Sequence, residues 1–348
     1  MDRVLRVVVV DDSAYVRKVV REILSRSPFV EVVGTARDGR EALDLVEQLD
    51  PDVVTCDLIM PELDGVGFVR EQMQRRPVPI IIMSIANETA EAALTALDAG
   101  AVDFVQKPTA LASEKIFEVS AELIEKVKAA GQIELNRIAA TPTPVATVSE
   151  PASRIAGNHS VDLVVIGIST GGPQALKRLI PQLPSDFPVP VLIVMHMPVG
   201  YTEMYAAKLN ELSQLEVKEA AEGDEIKPGR VFLAAAGRHL SVKKDSSGKF
   251  VTHLDARPFN TLHKPAVDVL FQSVAEVYGN RVLGVVMTGM GSDGKEGSAW
   301  IKSQGGLVFT EAESSCVVYG MPSTVVEAGL SDKSVALEDM ARAIREVV

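Results

Sequence analysis

From Leu5 to about Gln132 the chain alternates short runs of β-branched and aliphatic residues with longer stretches whose apolar positions recur at helical spacing. That alternation predicts a parallel sheet covered by helices, with strands over 5–10, 30–35, 53–57, 79–84 and 103–106, each followed by a helix. Between about 132 and 160 the periodicity lapses into Thr141-Pro142-Thr143-Pro144 and Ser149-Glu150-Pro151-Ala152-Ser153, the composition of an interdomain linker. From Val161 onward strands and helices alternate again, with buried strands expected over 163–168, 191–195 and 282–287. The expected organisation is two α/β domains, 1–130 and 161–348, joined by a linker over 131–160. The first has five parallel strands; the second is doubly wound, with a predominantly parallel sheet. No internal repeat unites the halves.

Composition narrows the choices. The 348 residues suffice for two cores, and 47% hydrophobic with 24% charged residues is ordinary for a globular protein. A formal net charge of −12 argues against nucleic acid as a partner, because phosphate backbones are gripped by clustered Lys and Arg. Cys56 and Cys316 lie in apolar stretches without disulfide or zinc spacing, so a reducing, cytoplasmic setting is expected. The first apolar run stops at Asp11-Asp12 with no cleavage site, so no signal peptide is expected. Other apolar runs fall short of the roughly 18 residues of a membrane span, so no membrane insertion is expected.

Candidate chemistry clusters at strand ends. In an open α/β sheet ligands bind beyond the carboxyl ends of the strands, and Asp11, Asp12 and Asp57 all fall there. Three carboxylates form an oxygen-rich site for a hard cation such as Mg²⁺. The Lys107 ammonium would neutralise a phosphoryl group on Asp57, and the Ser84 hydroxyl would hydrogen-bond one of its oxygens. Singly, an Asp after a strand is as readily a helix cap, and Lys107-Pro108 as readily a turn; five residues so placed together point to acyl phosphate chemistry. With Cys56-Asp57-Leu58-Ile59-Met60-Pro61-Glu62-Leu63-Asp64-Gly65 and Phe104 before Lys107-Pro108, residues 5 to about 128 resemble the receiver domain of two-component response regulators. The resemblance implies a flavodoxin-like fold and phosphorylation of Asp57 by a histidine kinase. It also implies Mg²⁺ held by Asp12, Asp57 and the Ile59 carbonyl with Asp11 assisting, and a switch pair of Ser84 and Phe104. Phe104 equally reads as a core aromatic.

In the second half, Gly167-Ile168-Ser169-Thr170-Gly171-Gly172-Pro173 lies between a predicted buried strand and a predicted helix, which puts Ser169 on a sharp turn. The spacing suits a nucleophile whose tetrahedral intermediate is stabilised by N–H groups at the helix start. Its rival is a phosphate cradle, but the motif lacks the Gly-Lys-Ser/Thr ending of a P-loop. His196 ends the next buried strand as a candidate base, and Asp293 follows a third strand in Thr288-Gly289-Met290-Gly291-Ser292-Asp293-Gly294 as its orienting carboxylate. The plainer readings are a helix cap, an edge histidine and a turn former. Of the other histidines only His263 draws attention; His159 falls in the linker, and His239 and His253 read as exposed positions of a polar hairpin.

Residues 161 to about 347 resemble the catalytic domain of chemotaxis protein-glutamate methylesterases at Gly167 to Gly172, at Met195-His196-Met197 and at Met287 to Gly294. The resemblance implies Ser169 as nucleophile, His196 as general base and Asp293 as its partner, with Thr170 and the Met290 N–H serving the oxyanion and its positioning. His263-Lys264-Pro265 stands where that family usually has His-Arg-Pro, so any bidentate role that an arginine has there is not carried over to Lys264. The implied enzyme demethylates glutamate methyl esters, and deamidates glutamines, on membrane-anchored chemoreceptors, with no cofactor for hydrolysis. The domain order suggests that phosphorylation of the receiver controls access to Ser169. The competing classes are a receiver-controlled binding module, indifferent to loss of Ser169, and a nucleotide-dependent enzyme.

Overall fold

The computed structural model describes residues 3–85, 90–107, 113–133, 161–258 and 260–348. The expected linker lies outside them, apart from 131–133. The chain divides into two compact units, Met1–Pro142 and Thr143–Val348.

In the first unit β1 (Leu5–Val10), β2 (Val30–Ala36), β3 (Val53–Asp57), β4 (Ile80–Ser84) and β5 (Asp103–Gln106) form one parallel sheet in the order β2-β1-β3-β4-β5. Helices α1 (Ala14–Leu24), α2 (Gly39–Leu49), α3 (Gly65–Arg75), α4 (Ala90–Asp98) and α5 (Ser113–Ala130) alternate with the strands. Every residue of β3 and β4 is buried, as expected of inner strands covered on both faces. Cap chemistry sets several boundaries: Ser13, Asp38 and Asp64 each accept an N–H from the first turn of the helix they precede. Asp11 and Asp57 are therefore not the helix caps that their positions would also allow.

The second unit carries a seven-stranded sheet, parallel throughout, in the order β14-β13-β12-β6-β7-β9-β8. Its strands are β6 (Leu163–Ile168), β7 (Val191–Met195), β8 (Glu216–Glu219), β9 (Arg230–Leu233), β12 (Val282–Val286), β13 (Leu307–Glu311) and β14 (Lys333–Val335). A separate antiparallel hairpin pairs β10 (His239–Lys244) with β11 (Phe250–Asp255). The helices are α6 (Gly172–Leu179), α7 (Thr202–Leu212), α8 (Val267–Tyr278), α9 (Lys295–Ser303), α10 (Met321–Glu327) and α11 (Leu337–Arg345). Strands β6, β7 and β12 are wholly buried, and Leu163, Val165, Leu192, Val194, Val282 and Val286 meet Phe271 and Val274 of α8 in one core. The chain order runs outward from β6 in both directions, first to β7 and later through β12, so a topological switch point opens at the carboxyl ends of these three strands.

The strands that were expected end within a residue of expectation; β8, β9, β13 and β14 were not among them. Two histidine readings divide: His253 is half-buried, whereas His239 is only 1% exposed, against the exposure expected of it. It faces inward because its ring fastens a distant segment: Ala266 N–H donates to Nδ1 at 3.1 Å, and Nε2 lies 3.1 Å from the Pro258 carbonyl.

Candidate active site

At the carboxyl edge of the first sheet the oxygens of Asp11, Asp12 and Asp57 come within 4.8 Å of one another. Asp11 and Asp57 are buried and Asp12 is exposed, so the cluster opens to solvent on one side. Lys107 Nζ stands 2.7 Å from Asp57 and 2.9 Å from Asp11. Burial pushes the Asp57 carboxyl above its usual range, only partly countered by its hydrogen bond from Lys107. Burial disfavours the Lys107 ammonium, but its bonds to Asp11 and Asp57 outweigh this and raise its affinity for the proton. One ammonium against three carboxylates leaves an excess of negative charge on oxygen donors, a set that fits Mg²⁺. Ser84 is buried at the end of β4 and its carbonyl accepts the Lys107 N–H at 2.8 Å, which ties β4 to the β5 end. Phe104 is 2% exposed, with Lys126 Nζ 5.9 Å above its ring. Ile59, two residues past Asp57, turns a side chain 60% exposed to solvent.

The second sheet gathers Ser169, His196 and Asp293 at its switch point, one beyond each of β6, β7 and β12. Ser169 does not cap α6: the N-cap is Gly171, at φ +81°, a left-handed conformation that glycine accepts freely. The Ser169 turn is pinned by its own backbone. Its carbonyl accepts Gly172 N–H at 2.7 Å, and its N–H donates to Thr288 O at 3.0 Å. A Cβ on Gly289 would lie 2.7 Å from Ser169 Cβ, so the two loops approach this closely only with glycine there. Thr288 adds a second tie, its hydroxyl donating to the buried Thr170 carbonyl at 2.9 Å.

His196 Nε2 and Asp293 Oδ2 are 2.8 Å apart, which places the ring proton on Nε2. The other nitrogen, Nδ1, is buried and has no hydrogen-bond partner among the described residues. Asp293 also accepts the N–H groups of Val267 (2.7 Å) and Asp268 (2.9 Å) at the start of α8. Burial works against its charge, but the His196 contact and these N–H donors prevail and hold it at about 2. Asp293 is thus a latch between two loops rather than a turn former. Met290 stands at the half-buried crest of the same loop.

Sequence reasoning missed Asp268. Its Oδ1 accepts the N–H groups of Gly294 (2.9 Å) and Gly297 (2.7 Å) just past Asp293, while Asp293 accepts the Asp268 N–H, so the two carboxylates tie the two segments together from both sides. Burial and the adjacent Asp293 push Asp268 up. Its place shortly after the His263-Lys264-Pro265 segment, past Ala266 and Val267, was the available signal. His263 stacks on His196 with ring centroids 4.0 Å apart.

Two family models account for most of the chain. A response regulator receiver domain matches residues 7–118, and a CheB methylesterase model matches 164–344. The protein-glutamate methylesterase/protein-glutamine glutaminase 5 of Myxococcus xanthus is 49% identical over 99% of this chain and 98% of its own. This chain belongs to the family of protein-glutamate methylesterases/protein-glutamine glutaminases. The Symbiobacterium thermophilum member of the family is 45% identical over 100% of this chain and 98% of its own. The crystal structure of the Thermotoga maritima CheB methylesterase catalytic domain, 41% identical, matches 54% of this chain and 100% of its own with a TM-score of 0.53. Membership of the methylesterase family makes hydrolysis the chemistry against which the Ser169 site is to be read. Among the described residues no helix is long and apolar enough to cross a membrane.

Proposed function

We propose that this methylesterase-family chain hydrolyses glutamate γ-methyl esters, and deamidates glutamines, on the cytoplasmic parts of chemoreceptors, with Ser169 as nucleophile. The observation that carries the reading is the His196–Asp293 contact of 2.8 Å, which leaves a buried Nδ1, without a hydrogen-bond partner among the described residues, at the sheet edge that Ser169 shares. Asp293 fixes the tautomer, so Nδ1 keeps a lone pair to take the Ser169 proton as Oγ attacks the ester carbonyl. The resulting oxyanion is received by the Met290 N–H, on the loop that Thr288 and Thr170 hold against the Ser169 turn. His196 then returns the proton to the departing methoxide, methanol leaves, and water, deprotonated by the same nitrogen, frees the acyl-enzyme. With glutamine as substrate ammonia departs instead. The hydrolytic steps call on no cofactor.

In the receiver unit Asp57 is the phosphoacceptor, with a chemotaxis histidine kinase as donor. Asp11, Asp12, Asp57 and the Ile59 carbonyl would hold Mg²⁺, which when bound supplies positive charge to the incoming phosphoryl oxygens. Lys107 neutralises the phosphoryl group, and Ser84 with Phe104 responds to it. Phosphorylation then raises the turnover of the Ser169 site.

The test is methanol release from a methylated receptor cytoplasmic fragment, with wild type and Ser169→Ala each assayed with and without Mg²⁺ and a small phosphodonor. Release that the phosphodonor stimulates and Ser169→Ala abolishes is the expected result. No release from folded wild type carrying phosphorylated Asp57 would sink the hydrolytic reading and leave the receiver intact.

A further inference from the structure

The reaction above gives no task to Glu311, the last residue of β13, although no part of it reaches solvent. Its Oε2 accepts the N–H of Thr288 at 2.9 Å, and its Oε1 accepts the Ser315 hydroxyl at 3.0 Å. Thr288 is the residue whose carbonyl holds the Ser169 N–H, and two residues further on the same loop reaches Met290. One residue, Thr288, is therefore gripped by Glu311 through its N–H and grips the nucleophile's backbone through its carbonyl.

The surroundings favour a neutral carboxyl. Arg178 of α6 attracts its charge, while Glu338 of α11 repels it. Around β13, Lys333 of β14 is occupied by Glu346 and Lys302 of α9 by Asp332, α10 brings only Glu327, and β12 carries no titratable residue. The Cys316 thiol meets the Glu311 carbonyl oxygen rather than its carboxyl. Burial dominates and pushes the carboxyl up to about 7, against the hydrogen bonds from Thr288 and Ser315. A neutral carboxyl also fits the local donors and acceptors. Its O–H can be received by Ser315 Oγ, whose own hydroxyl proton has the Ala312 carbonyl 3.3 Å away, while Oε2 keeps Thr288.

We propose that Glu311 is a positioning residue: its neutral carboxyl anchors the loop that carries Met290, and its ionisation opposes the oxyanion forming against that loop, which limits turnover in alkali. The inference rests on the reading of Ser169 and Met290 given above. The physical basis is like-charge repulsion in a dry interior, where a second negative charge behind the oxyanion site raises the barrier that the N–H donor lowers.

The test compares basal methanol release by full-length wild type and Glu311→Gln from about pH 6 to pH 9, with Ser169→Ala subtracted as the uncatalysed background. The amide keeps the shape, accepts from Thr288 and cannot ionise. Wild type should lose turnover about tenfold on the alkaline side, with a midpoint near neutrality, while Glu311→Gln stays level there and matches wild type at the acid end. The same alkaline loss in both overturns the proposal; wild type no faster than Ser169→Ala instead sinks the reading of the nucleophile. Urea unfolding over the same range gives a readout independent of activity. Wild type should lose stability relative to Glu311→Gln, or to Glu311→Met if the amide folds poorly, as pH rises through neutrality, and parallel curves would overturn the proposal.

Discussion

The two candidate sites share an address and differ in how they treat charge. Both sit at the carboxyl edge of a parallel sheet and both draw on several strand ends. The Asp57 site concentrates like charges: three carboxylate groups within 4.8 Å and, among the described residues, a single ammonium, an imbalance that a bound cation would relieve. The Ser169 site instead satisfies its carboxylate with donors, since Asp293 is met by the His196 ring N–H and by two backbone N–H groups before any substrate arrives. A site with excess charge is built to be completed by ligands, whereas one whose carboxylate is already held by donors is built to move a proton. The same sheet edge serves either purpose because the sheet supplies only position.

If that separation holds, the sites are chemically independent, and the largest effects should be a crossed pair. Asp57→Asn should abolish phosphorylation, read by incorporation of label from a small phosphodonor, yet keep basal methanol release. Ser169→Ala should lower methanol release by about four orders of magnitude or more and leave phosphorylation of Asp57 unchanged. Chelating Mg²⁺ should follow the first pattern and not the second. A basal hydrolysis rate that falls with the chelator would break the comparison at its root.

Within the hydrolytic site, Asp293→Asn keeps the size of the side chain but removes the charge that fixes the ring proton on Nε2. It should cost about a thousandfold or more in kcat with little change in KM. Asp268→Ala frees the N–H groups of Gly294 and Gly297. The expected cost is about 1–3 kcal/mol of stability and a smaller loss of kcat, measured by urea unfolding and by methanol release on the same preparation. A larger kcat loss at Asp268 than at Asp293 would reverse their ranking.

The residues that were legible in the sequence share one property. Asp11, Asp57, Ser169, His196 and Asp293 each follow a run of buried aliphatic residues, and the period of such runs announces a strand end without any knowledge of what lies beside it. The five strands of the first sheet and the inner strands β6, β7 and β12 of the second were legible for the same reason, because a parallel sheet covered on both faces requires continuous apolar segments, whereas the outer β8, β9, β13 and β14 were not expected. Asp268, Glu311 and His239 were not, because their tasks are set by backbone groups from distant parts of the chain: Gly294 and Gly297, Thr288, and Ala266. The His239 strand has the pattern of a polar hairpin, and a polar side chain carries no mark of the face it takes. Local pattern places a residue on an element; only the folded chain shows which distant N–H it must satisfy.

His239 offers the smallest expected effect and the sharpest contrast with the carboxylates. The Ala266 N–H points at Nδ1, so a proton added there would face another proton. Burial pulls the ring's proton affinity down from its usual 6.5, more than the Pro258 carbonyl restores it. The unfolded chain therefore binds the proton more readily than the folded one. The ring's contribution to stability is complete above 6.5 and is lost as pH falls through the folded value, the reverse of the Glu311 trend. His239→Asn keeps an acceptor for Ala266 N–H and removes the titration, so it should cost about 1 kcal/mol above neutrality and less in mild acid. Urea midpoints of the two proteins should converge as the pH is lowered. Curves that stay parallel would mean that protonated His239 finds an acceptor, and the segment from Pro258 to Ala266, which bears the ring stacked on His196, would then hold its place without regard to pH.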